Sequence, residues 1–277
     1  MKFSLIMGTV GRTREVERFL RAAARQSYMK FELIVIDQNS DDRLAPLLAA
    51  YEQRVSILHL RSAPGLSRAR NVGLQGITGD VVGFPDDDCW YAPSLLSLLS
   101  AWLEAHPDID GVSVISRDEK DRASNLRWDG QGGPINRNNV WRRAISYTVF
   151  LRRRVATAVG GFDPNLGVGS GTRWESGEET DYLLRALNAG FHLYYEPSIA
   201  VFHPQPRLQR ETARKRGYSY GQGFGRVQRK HLYPFPIVSY YWARSLAGTV
   251  LSLARLDPAQ ANLHWGNFKG RIRGWVG

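Results

Sequence analysis

Apolar residues in the first hundred positions alternate between short continuous runs and longer helical patterns. The continuous runs, typical of buried strands, are Lys2–Met7, Glu32–Asp37, Val55–Leu60 and Asp80–Pro85. Between them, apolar side chains return every three or four residues, over Val16–Ala23, Leu44–Tyr51 and Ser67–Leu74. Near-continuous apolar strands that alternate with helices predict an α/β fold, in which helices cover both faces of one mostly parallel sheet.

Polar residues stand at the carboxyl ends of these predicted strands. Thr9 and Arg12 follow the first strand, Asp37 and Asn39 come at the end of the second, and Asp86–Asp88 follow the fourth. Ligands of open α/β sheets bind in the crevice at the carboxyl ends of the strands. We therefore expect these residues to converge on one site.

The three consecutive carboxylates Asp86–Asp88 are the strongest chemical signal. Burying a carboxylate without a partner costs several kcal/mol, and a hard divalent cation relieves that cost because Mg²⁺ and Mn²⁺ prefer oxygen ligands. A helix is predicted to begin soon afterwards, at Ala92–Ser94. The triplet therefore predicts a metal site, with a cap and turn before that helix as the alternative.

A second acidic cluster, Glu178, Glu179 and Asp181, follows Gly177 at a predicted helix start. The helix dipole stabilises negative charge there, so such acids are also ordinary first-turn residues without a catalytic role. Trp174, just before them, is a candidate for stacking on an acceptor sugar, because tryptophan combines a large apolar face with an N–H donor. Core packing is the alternative for this side chain.

Seven short segments occur in a fixed order between residue 1 and about residue 205. They are Gly8-Thr9, Val35–Ser40, Gly65–Gly73, Gly79-Asp80 leading to Phe84–Asp88, Gly160–Asp163, Gly177–Arg185 and Val201–His203. Together they resemble family 2 glycosyltransferases of the bacterial polysaccharide type, which have the GT-A fold. Each segment is weak alone, but seven in register are specific. The resemblance implies a single GT-A-like, Rossmann-like domain that uses a nucleoside diphosphate sugar.

The resemblance also implies roles for single residues. The acidic triplet resembles the family's Asp-X-Asp motif, with Asp88 on a Mg²⁺ or Mn²⁺ ion and Asp86 near the ribose or the metal. His203 resembles the third metal ligand of some GT-A enzymes. Asp37 and Thr9 resemble the contacts to the nucleotide base.

Further roles follow from the same resemblance. Arg70 resembles an arginine near the nucleotide, and Arg12, Asn39 and Asp87 are expected in the same nucleotide-sugar site. The segment Gly177-Glu178-Glu179 resembles the family's Gly-Glu-Asp, whose last acid is the catalytic base, so Glu179 is the predicted base. Trp174, Glu178 and Asp181 are the predicted acceptor contacts. Two residues depart from the family pattern: Gln38, beside the base contact, and Glu179, which stands where Asp is commoner.

The chemistry of sugar transfer asks for these residue types independently of the resemblance. A nucleoside diphosphate leaving group gains charge as the glycosidic bond breaks, and a bound dication stabilises that charge. A sugar hydroxyl is a poor nucleophile, so a carboxylate within hydrogen-bond reach must take its proton. Direct displacement inverts the anomeric centre.

Net charge divides the 277-residue chain into two parts. Residues 1–206 contain 24 Lys and Arg and 24 Asp and Glu, whereas residues 207–277 contain 13 and two, which accounts for the whole net charge of +11. We expect a nucleotide-sugar-binding and catalytic domain over 1–206 and a basic helical extension over 207–277. Cys89 is the single cysteine, and no apolar signal region follows Met1, so a cytoplasmic location is predicted.

The extension combines aromatic residues with a helical pattern. Tyr233–Trp242 precedes a pattern that runs to Leu256, in which Arg244 and Arg255 argue against a membrane span. An amphipathic helix at the inner face of an anionic membrane, serving a glycan or lipid-linked acceptor, is predicted. Packing of its apolar face on the catalytic domain is the alternative. Gly217–Gly225 is predicted to be a flexible loop because no strand precedes its glycines, and Arg117–Asn139 a mobile loop because it lacks periodicity.

Three other function classes share part of this sequence pattern. A metal-dependent nucleotidyltransferase would share the sheet and the acids, but would usually carry a lysine in a glycine-rich loop after the first strand, and Gly8–Arg12 has none. A nucleic-acid-binding protein should carry its charge on the main fold, which is neutral here, so no nucleic-acid partner is predicted. A non-catalytic glycan- or nucleotide-binding relative stays open.

Overall fold

The computed structural model describes residues 1–124, 128–205 and 208–277, which form two compact units. The first unit comprises Met1–Pro64, Arg68–Gly161 and Tyr182–Gln205, and the second comprises Gly65–Ser67, Phe162–Asp181 and Pro206–Gly277. The predicted domain boundary between residues 206 and 207 lies outside the described residues. Residues 125–127 of the predicted loop Arg117–Asn139 also lie outside them.

The first unit contains a nine-stranded sheet. Its strands are β1 (Phe3–Thr9), β2 (Phe31–Asp37), β3 (Ser56–Arg61), β4 (Val81–Gly83), β5 (Trp90–Tyr91), β6 (Gly111–Arg117), β7 (Gly133–Pro134), β8 (Val149–Arg152) and β9 (Leu193–Phe202). Strand β7 lies within the segment predicted to be an irregular loop and pairs with β9, so the prediction was wrong for these two residues.

Helices alternate with the strands of the first unit and then dominate the second. They are α1 (Arg14–Ala23), α2 (Ala45–Ala49), α3 (Leu66–Leu74), α4 (Leu95–Ala105), α5 (Val140–Arg143), α6 (Arg153–Val159), α7 (Glu178–Asn188), α8 (Arg210–Lys230), α9 (Phe235–Ala254) and α10 (Pro258–Val276), with one 3₁₀ turn at Ser146–Thr148. The four strands and the helices predicted in the first hundred residues are present, and the α/β class is confirmed.

The sheet has the order β3-β2-β1-β4-β8-β6-β9-β5, with β7 paired to β9. Strands β1 to β4 run parallel, as the apolar runs predict. Beyond β4 the sheet is mixed, because β8 runs antiparallel to both β4 and β6 while β6 and β9 are parallel. The parallel half therefore brings the carboxyl ends of β1, β2 and β4 to one edge.

The register of β1 and β2 brings the candidate residues to the same level. Thr9, the last residue of β1, is the register partner of Asp37, the last residue of β2. The core beneath this edge is fully buried and includes Leu5, Met7 and Phe150. Gly83, at the end of β4, has no room for a side chain, since a Cβ there would lie 2.9 Å from the ring of Phe150. Close packing thus fixes the strand that leads into the acidic triplet.

The second unit contains the helices α8, α9 and α10, and here one prediction was wrong. The segment Gly217–Gly225 forms the middle of α8 rather than a flexible loop. A Cβ on any of its glycines that face α10 would lie within 3.0 Å of an α10 carbonyl oxygen, as at Gly217, Gly221 and Gly225. Glycine disfavours helix in isolation, but here it allows two helix backbones to touch. The packing of α8 on α10 therefore compensates for the low helix propensity.

Candidate active site

The acidic triplet follows β4 at the carboxyl edge of the sheet. The Oδ1 atom of Asp88 lies 2.9 Å from Nε2 of His203, which follows β9. One potential ligand atom from each of Asp86, Asp88 and His203 lies within 4.8 Å of the other two. Helix α4 begins at Leu95 with Ser94 at its N-cap position, so the triplet does not cap this helix.

The ring of His203 is held in one orientation by two neighbours. Its Nδ1 atom lies 2.6 Å from the carbonyl oxygen of Pro204, which can only accept, so Nδ1 carries the proton. Tyr147 stacks on the ring with centroids 4.6 Å apart and an interplanar angle of 20°. Nε2 therefore faces the carboxylates, which is the usual arrangement of a histidine that binds a metal through one nitrogen.

The triplet carboxyls have different proton affinities because their surroundings differ. Burial raises the pKa of Asp86 to about 6, although Arg70 and His203 oppose the shift. Burial also acts on Asp88, but the hydrogen bond and charge of His203, together with Arg12, outweigh it and lower its pKa. Burial dominates again at Asp87 and raises its pKa, against Thr9 and Arg12.

The donor set fits a divalent cation. Carboxylate oxygens and a neutral imidazole nitrogen suit Mn²⁺, and Mg²⁺ accepts the oxygens with water or phosphate completing its shell. Oxygen ligands on opposite sides of a Mg²⁺ ion lie about 4.2 Å apart. The 4.8 Å limit for Asp86, Asp88 and His203 is close to this value, so small side-chain adjustments would complete the site.

Thr9 and Arg12 hold the other carboxylates of the triplet. The Thr9 hydroxyl donates to Asp87 Oδ2 at 2.7 Å. Arg12 bridges two acids, with NH1 2.6 Å from Asp87 and 2.8 Å from Asp88. Arg18 of α1 donates to the backbone carbonyl of Asp88. Three elements that meet at the carboxyl edge thus fix the triplet.

Asp37 and Asn39 form a second cluster at the end of β2. The Asp37 side chain is fully buried, and its Oδ1 accepts from the backbone and the side-chain amide of Asn39 at 2.8 and 2.7 Å. His59 of β3 lies 3.1 Å from the other carboxylate oxygen. The Asn39 carbonyl oxygen accepts from Arg61, and its side-chain oxygen accepts from the Gly11 amide. The cluster thereby reaches the loop that carries Arg12.

The sequence analysis did not single out His59 and Arg61 as site residues. Both lie on the same face of β3, because side chains two positions apart in a strand point the same way. The register pairs Arg61 with Asp37. The sequence did contain a signal for this role. His59 and Arg61 are polar, two positions apart, and stand at the end of the strand next to β2.

Arg70 lies in α3 and is almost completely buried, with 1% of its side chain exposed. One of its guanidinium nitrogens lies 3.3 Å from Asp86 Oδ1. A fully buried arginine requires an anionic partner, and Asp86 supplies it. Arg70 thus offsets part of the negative charge of the triplet from within the protein interior.

The remaining candidate residues lie in the second unit. At the start of α7, Glu178 is buried against Gly167, whereas Glu179 is partly exposed. Asp181 is fully buried, and its Oδ1 lies 2.8 Å from both Lys230 Nζ and His231 Nε2. Of these three acids, Glu179 is the one with a partly exposed side chain.

Two of the predicted acceptor residues are buried. The Asp181 carboxylate contacts Lys230 and His231. Glu178 is 5% exposed. The acceptor roles of both acids stay predictions. Trp174 is partly exposed, with the Arg226 guanidinium 4.4 Å from the ring centroid. An arginine therefore already occupies one face of the predicted stacking residue.

Comparison with known proteins identifies the family. Residues 4–159 match the sequence profile of Glycosyl transferase family 2. The glycosyltransferase AglE of Haloferax volcanii is 25% identical over 221 residues, which span 73% of this chain and 66% of AglE. Other curated relatives are covered over a smaller part of their length, for example 44% for a Bacillus subtilis glycosyltransferase.

Solved structures resemble the chain over almost its whole length. Staphylococcus aureus TarS 1–349, solved in complex with UDP-GlcNAc, has a TM-score of 0.62 and 15% identity, covering 99% of this chain and 92% of that one. The mannosyltransferase PcManGT of Pyrobaculum calidifontis, solved with GDP-Man and Mn²⁺, has a TM-score of 0.64 and 15% identity, covering 97% and 86%. At such identities the likeness establishes the fold, which is GT-A. Because the family profile matches more than half of its length, the chain belongs to glycosyl transferase family 2.

Proposed function

We propose that this glycosyltransferase moves a sugar from a nucleoside diphosphate sugar to a hydroxyl group of a glycan or a lipid-linked acceptor, with a divalent metal and with inversion. The observation that carries the proposal is the group Asp86, Asp88 and His203, whose ligand atoms lie within 4.8 Å of one another. TarS binds UDP-GlcNAc and PcManGT binds GDP-Man and Mn²⁺, which supports the donor class and the metal. Family membership favours sugar transfer over nucleotidyl transfer and over non-catalytic binding.

The donor-binding roles are assigned to residues of the first unit. Asp86, Asp88 and His203 would hold the cation, which would offset the charge that develops on the leaving diphosphate. Arg12 and Thr9 keep the acids in place. The remaining nucleotide-sugar contacts that we propose are Asp37, Asn39, Arg70 and Asp87.

Glu179 is the proposed catalytic base. The acceptor hydroxyl oxygen forms a bond to the anomeric carbon while the bond from that carbon to the diphosphate oxygen breaks. The electron pair leaves with the diphosphate, and the hydroxyl proton passes to the Glu179 carboxylate. Attack opposite the leaving group inverts the anomeric configuration. The partial exposure of Glu179, beside the buried Glu178 and Asp181, supports this assignment.

We also propose that residues 1–206 carry nucleotide-sugar binding and catalysis, and that residues 207–277 contact the acceptor and an anionic membrane from the cytoplasmic side. The support is the charge distribution, because residues 207–277 carry 13 Lys and Arg against two Asp and Glu. An anionic surface attracts such a segment. A peripheral enzyme would meet lipid-linked acceptors, whose phosphates are also anionic, at that surface.

The metal assignment is tested by combining ligand binding with one substitution. Thermal unfolding would be followed for the wild type and for Asp88→Ala with nucleoside diphosphates, in the presence and absence of Mn²⁺. Ligands that bind the native state raise its stability by mass action, so we expect an Mn²⁺-dependent rise in Tm for the wild type. Asp88→Ala should lose the metal-dependent part and also sugar transfer.

Asp108→Ala is the matched control, because Asp108 is an exposed acid elsewhere in the first unit. It should keep both the Mn²⁺-dependent shift and transfer. Full transfer by the wild type in EDTA, or by Asp88→Ala, would contradict metal dependence.

The base is tested by isosteric substitution. Glu179→Gln keeps the shape of the side chain but cannot accept a proton, so donor binding should stay near normal while transfer falls by ~10²–10⁴-fold. The neighbouring variants Glu178→Gln and Asp181→Asn are the comparison. If one of them shows that loss at normal stability and Glu179→Gln does not, the base has been assigned to the wrong residue.

A further inference from the structure

Helix α9 buries two serines, Ser245 and Ser252, together with Val238 and Tyr241. Arg271 of α10 donates to the Tyr241 carbonyl oxygen at 2.8 Å and to the Ser245 hydroxyl at 2.6 Å. A Cβ on Gly248 would lie 2.8 Å from the ring of His264 of α10, so no larger residue fits there. Ser252 is also buried. The buried side of α9 therefore consists of two serines and a close-packed glycine, together with Val238 and Tyr241.

Most of the large apolar residues of α9 face outward. Six of them are 43–60% exposed: Phe235, Tyr240, Leu246, Val250, Leu251 and Leu253. Soluble proteins rarely expose a contiguous apolar surface of this kind unless it contacts a partner. The pattern that predicts an amphipathic helix is present, but its apolar side is not used in the packing of the second unit.

The outward face carries no charge but is bordered by arginines. Arg244 and Arg255 follow Tyr240 at four and fifteen positions, which places them along the same edge of the helix. The chain has no Asp or Glu from 212 to 256. None of the described helices is long and apolar enough to cross a membrane. The outward face therefore has an apolar centre and a positively charged edge formed by Arg244 and Arg255.

We propose that the outward face of α9 is a membrane-docking surface that lies flat in the headgroup region of an anionic bilayer. The inference rests on the membrane partner in the proposed function and assigns that contact to one helix face. Interfacial helices bury such a face about 5–10 Å into the boundary between headgroups and acyl chains. The aromatic residues Phe235 and Tyr240 suit that depth, and Arg244 and Arg255 reach lipid phosphates at the edge.

Charge favours a bilayer over a second copy of this chain as the occupant. Two copies joined through α9 would bring together two segments that each carry the net charge of +11. Like charges at close range repel, whereas an anionic surface neutralises them. Self-association through α9 is thus the competing outcome that the experiment must separate.

The test is co-sedimentation of the full chain with vesicles of phosphatidylcholine containing phosphatidylglycerol, and with vesicles of phosphatidylcholine alone. The wild type should bind the anionic vesicles and lose binding at high salt. The double variant Leu246→Asp/Val250→Asp should bind at least about tenfold more weakly, because it would bury two carboxylates beside lipid. Arg244→Gln and Arg255→Gln should each cost roughly fivefold.

Leu98→Asp on α4 is the matched control, since Leu98 is 48% exposed and Leu246 is 43% exposed. It should bind vesicles like the wild type. Equal binding by the α9 double variant, or an equal loss in Leu98→Asp, overturns the proposal. A wild type that binds no vesicle but forms a dimer broken by the α9 variant overturns it in favour of self-association.

Sugar transfer to a soluble acceptor separates this inference from the proposed function. Leu246 and Val250 lie on the outward face of α9 and are not among the individual side chains proposed to contact the donor, the acceptor or the transferred proton. The α9 double variant should therefore keep wild-type transfer in solution while vesicle binding is lost. If the wild type binds vesicles through α9 but transfers no sugar, the catalytic proposal fails and the docking surface stands. If the wild type transfers sugar but does not bind vesicles, the docking surface fails and the catalytic proposal stands.

Discussion

Helices α4 and α9 are both rich in leucine, yet they bury opposite kinds of residue. Helix α4, in the first unit, buries Leu95, Leu96, Leu99 and Leu103 in the main apolar core. Helix α9, in the second unit, buries two serines with Val238 and Tyr241 and leaves its leucines exposed. Leucine thus forms part of a core in one unit and an outer surface in the other.

The difference follows from what each helix packs against. The first unit offers a sheet of large apolar side chains, so burying leucine there removes much apolar area from water. The second unit offers α10, whose Gly266, Gly270 and Gly274 are already in backbone contact with α8, and whose Arg271 requires acceptors. Hydroxyls and small residues fit that surface better than leucine. The second unit is therefore expected to rely on polar and backbone contacts for its stability.

Within the second unit, the largest effect on stability is expected at its ion cluster. Lys230 Nζ lies 2.7 Å from Asp163 and 2.8 Å from the fully buried Asp181. Lys230→Met should lower the free energy of unfolding by about 3 kcal/mol, because it leaves buried carboxylate charge less well compensated. Urea denaturation followed by circular dichroism measures the change.

Two controls bracket this prediction. Lys230→Arg keeps the charge and should lose much less stability. Arg229→Met removes the neighbouring, exposed cation and should cost less than about 0.5 kcal/mol. If Lys230→Met unfolds at the same urea concentration as Arg229→Met, the cluster does not stabilise the second unit.

The contact between α8 and α10 should give the next largest effect. A Cβ on Gly270 would lie within 3.0 Å of backbone atoms of Tyr218 and Gln222, which cannot move aside as a side chain can. Gly270→Ala should therefore destabilise the protein by about 1–3 kcal/mol, although alanine is the better helix former. Thermal unfolding would show a lower Tm.

Gly130→Ala serves as the comparison, because a Cβ on Gly130 meets no atom within 4 Å. Its effect should be close to zero or slightly stabilising. A higher Tm for Gly270→Ala than for the wild type would mean that the backbones of α8 and α10 are not held in contact.

Sequence patterns predicted the first unit better than the second for a physical reason. Burial of large apolar side chains is favourable against almost any apolar partner. The apolar runs therefore predicted strands β1 to β4 without knowledge of the segments that pack against them. Helix α8 could not be predicted from its own sequence, because glycine lowers helix propensity. Only the facing glycines of α10 make the close approach of the two helices favourable. A local pattern cannot report a contact between segments some fifty residues apart.

The candidate site shows the same limit on a smaller scale. Strand ends and the acidic triplet predicted that Thr9 and Asp87 would be close, and the structure joins them at 2.7 Å. The contact between His59 and Asp37 depends on the register of β3 against β2, which apolar periodicity does not fix. The catalytic and binding roles of these residues stay predictions.

A smaller effect is expected from a carboxylate at the opposite, amino edge of the sheet. Burial alone would raise the pKa of Glu32, but hydrogen bonds from Ser4, Lys2 and Thr78 outweigh it and lower the pKa to about 2. A depressed folded-state pKa gives stability that is present above the unfolded value, near 4.5, and is lost as the pH falls towards 2. After allowance for solvent screening, this amounts to about 1–2 kcal/mol.

Glu32→Gln should therefore be less stable than the wild type at pH 7 by about that amount, and the difference should shrink at pH 3. Urea denaturation at the two pH values measures it. A difference that stays constant with pH would show that the effect of the substitution is not electrostatic.

The smallest effect on stability is expected at the exposed leucines of α9. Leu253 on α9 is 57% exposed, so Leu253→Gln removes little buried apolar area and should change the free energy of unfolding by less than about 0.5 kcal/mol. Leu99 on α4 is fully buried, and Leu99→Gln should cost about 2–5 kcal/mol, as large-to-small or polar changes in a core do. Urea denaturation of both variants without lipid gives the two values. A large loss for Leu253→Gln in lipid-free solution would mean that the outer face of α9 is buried within the protein, and the contrast between the two helices would disappear.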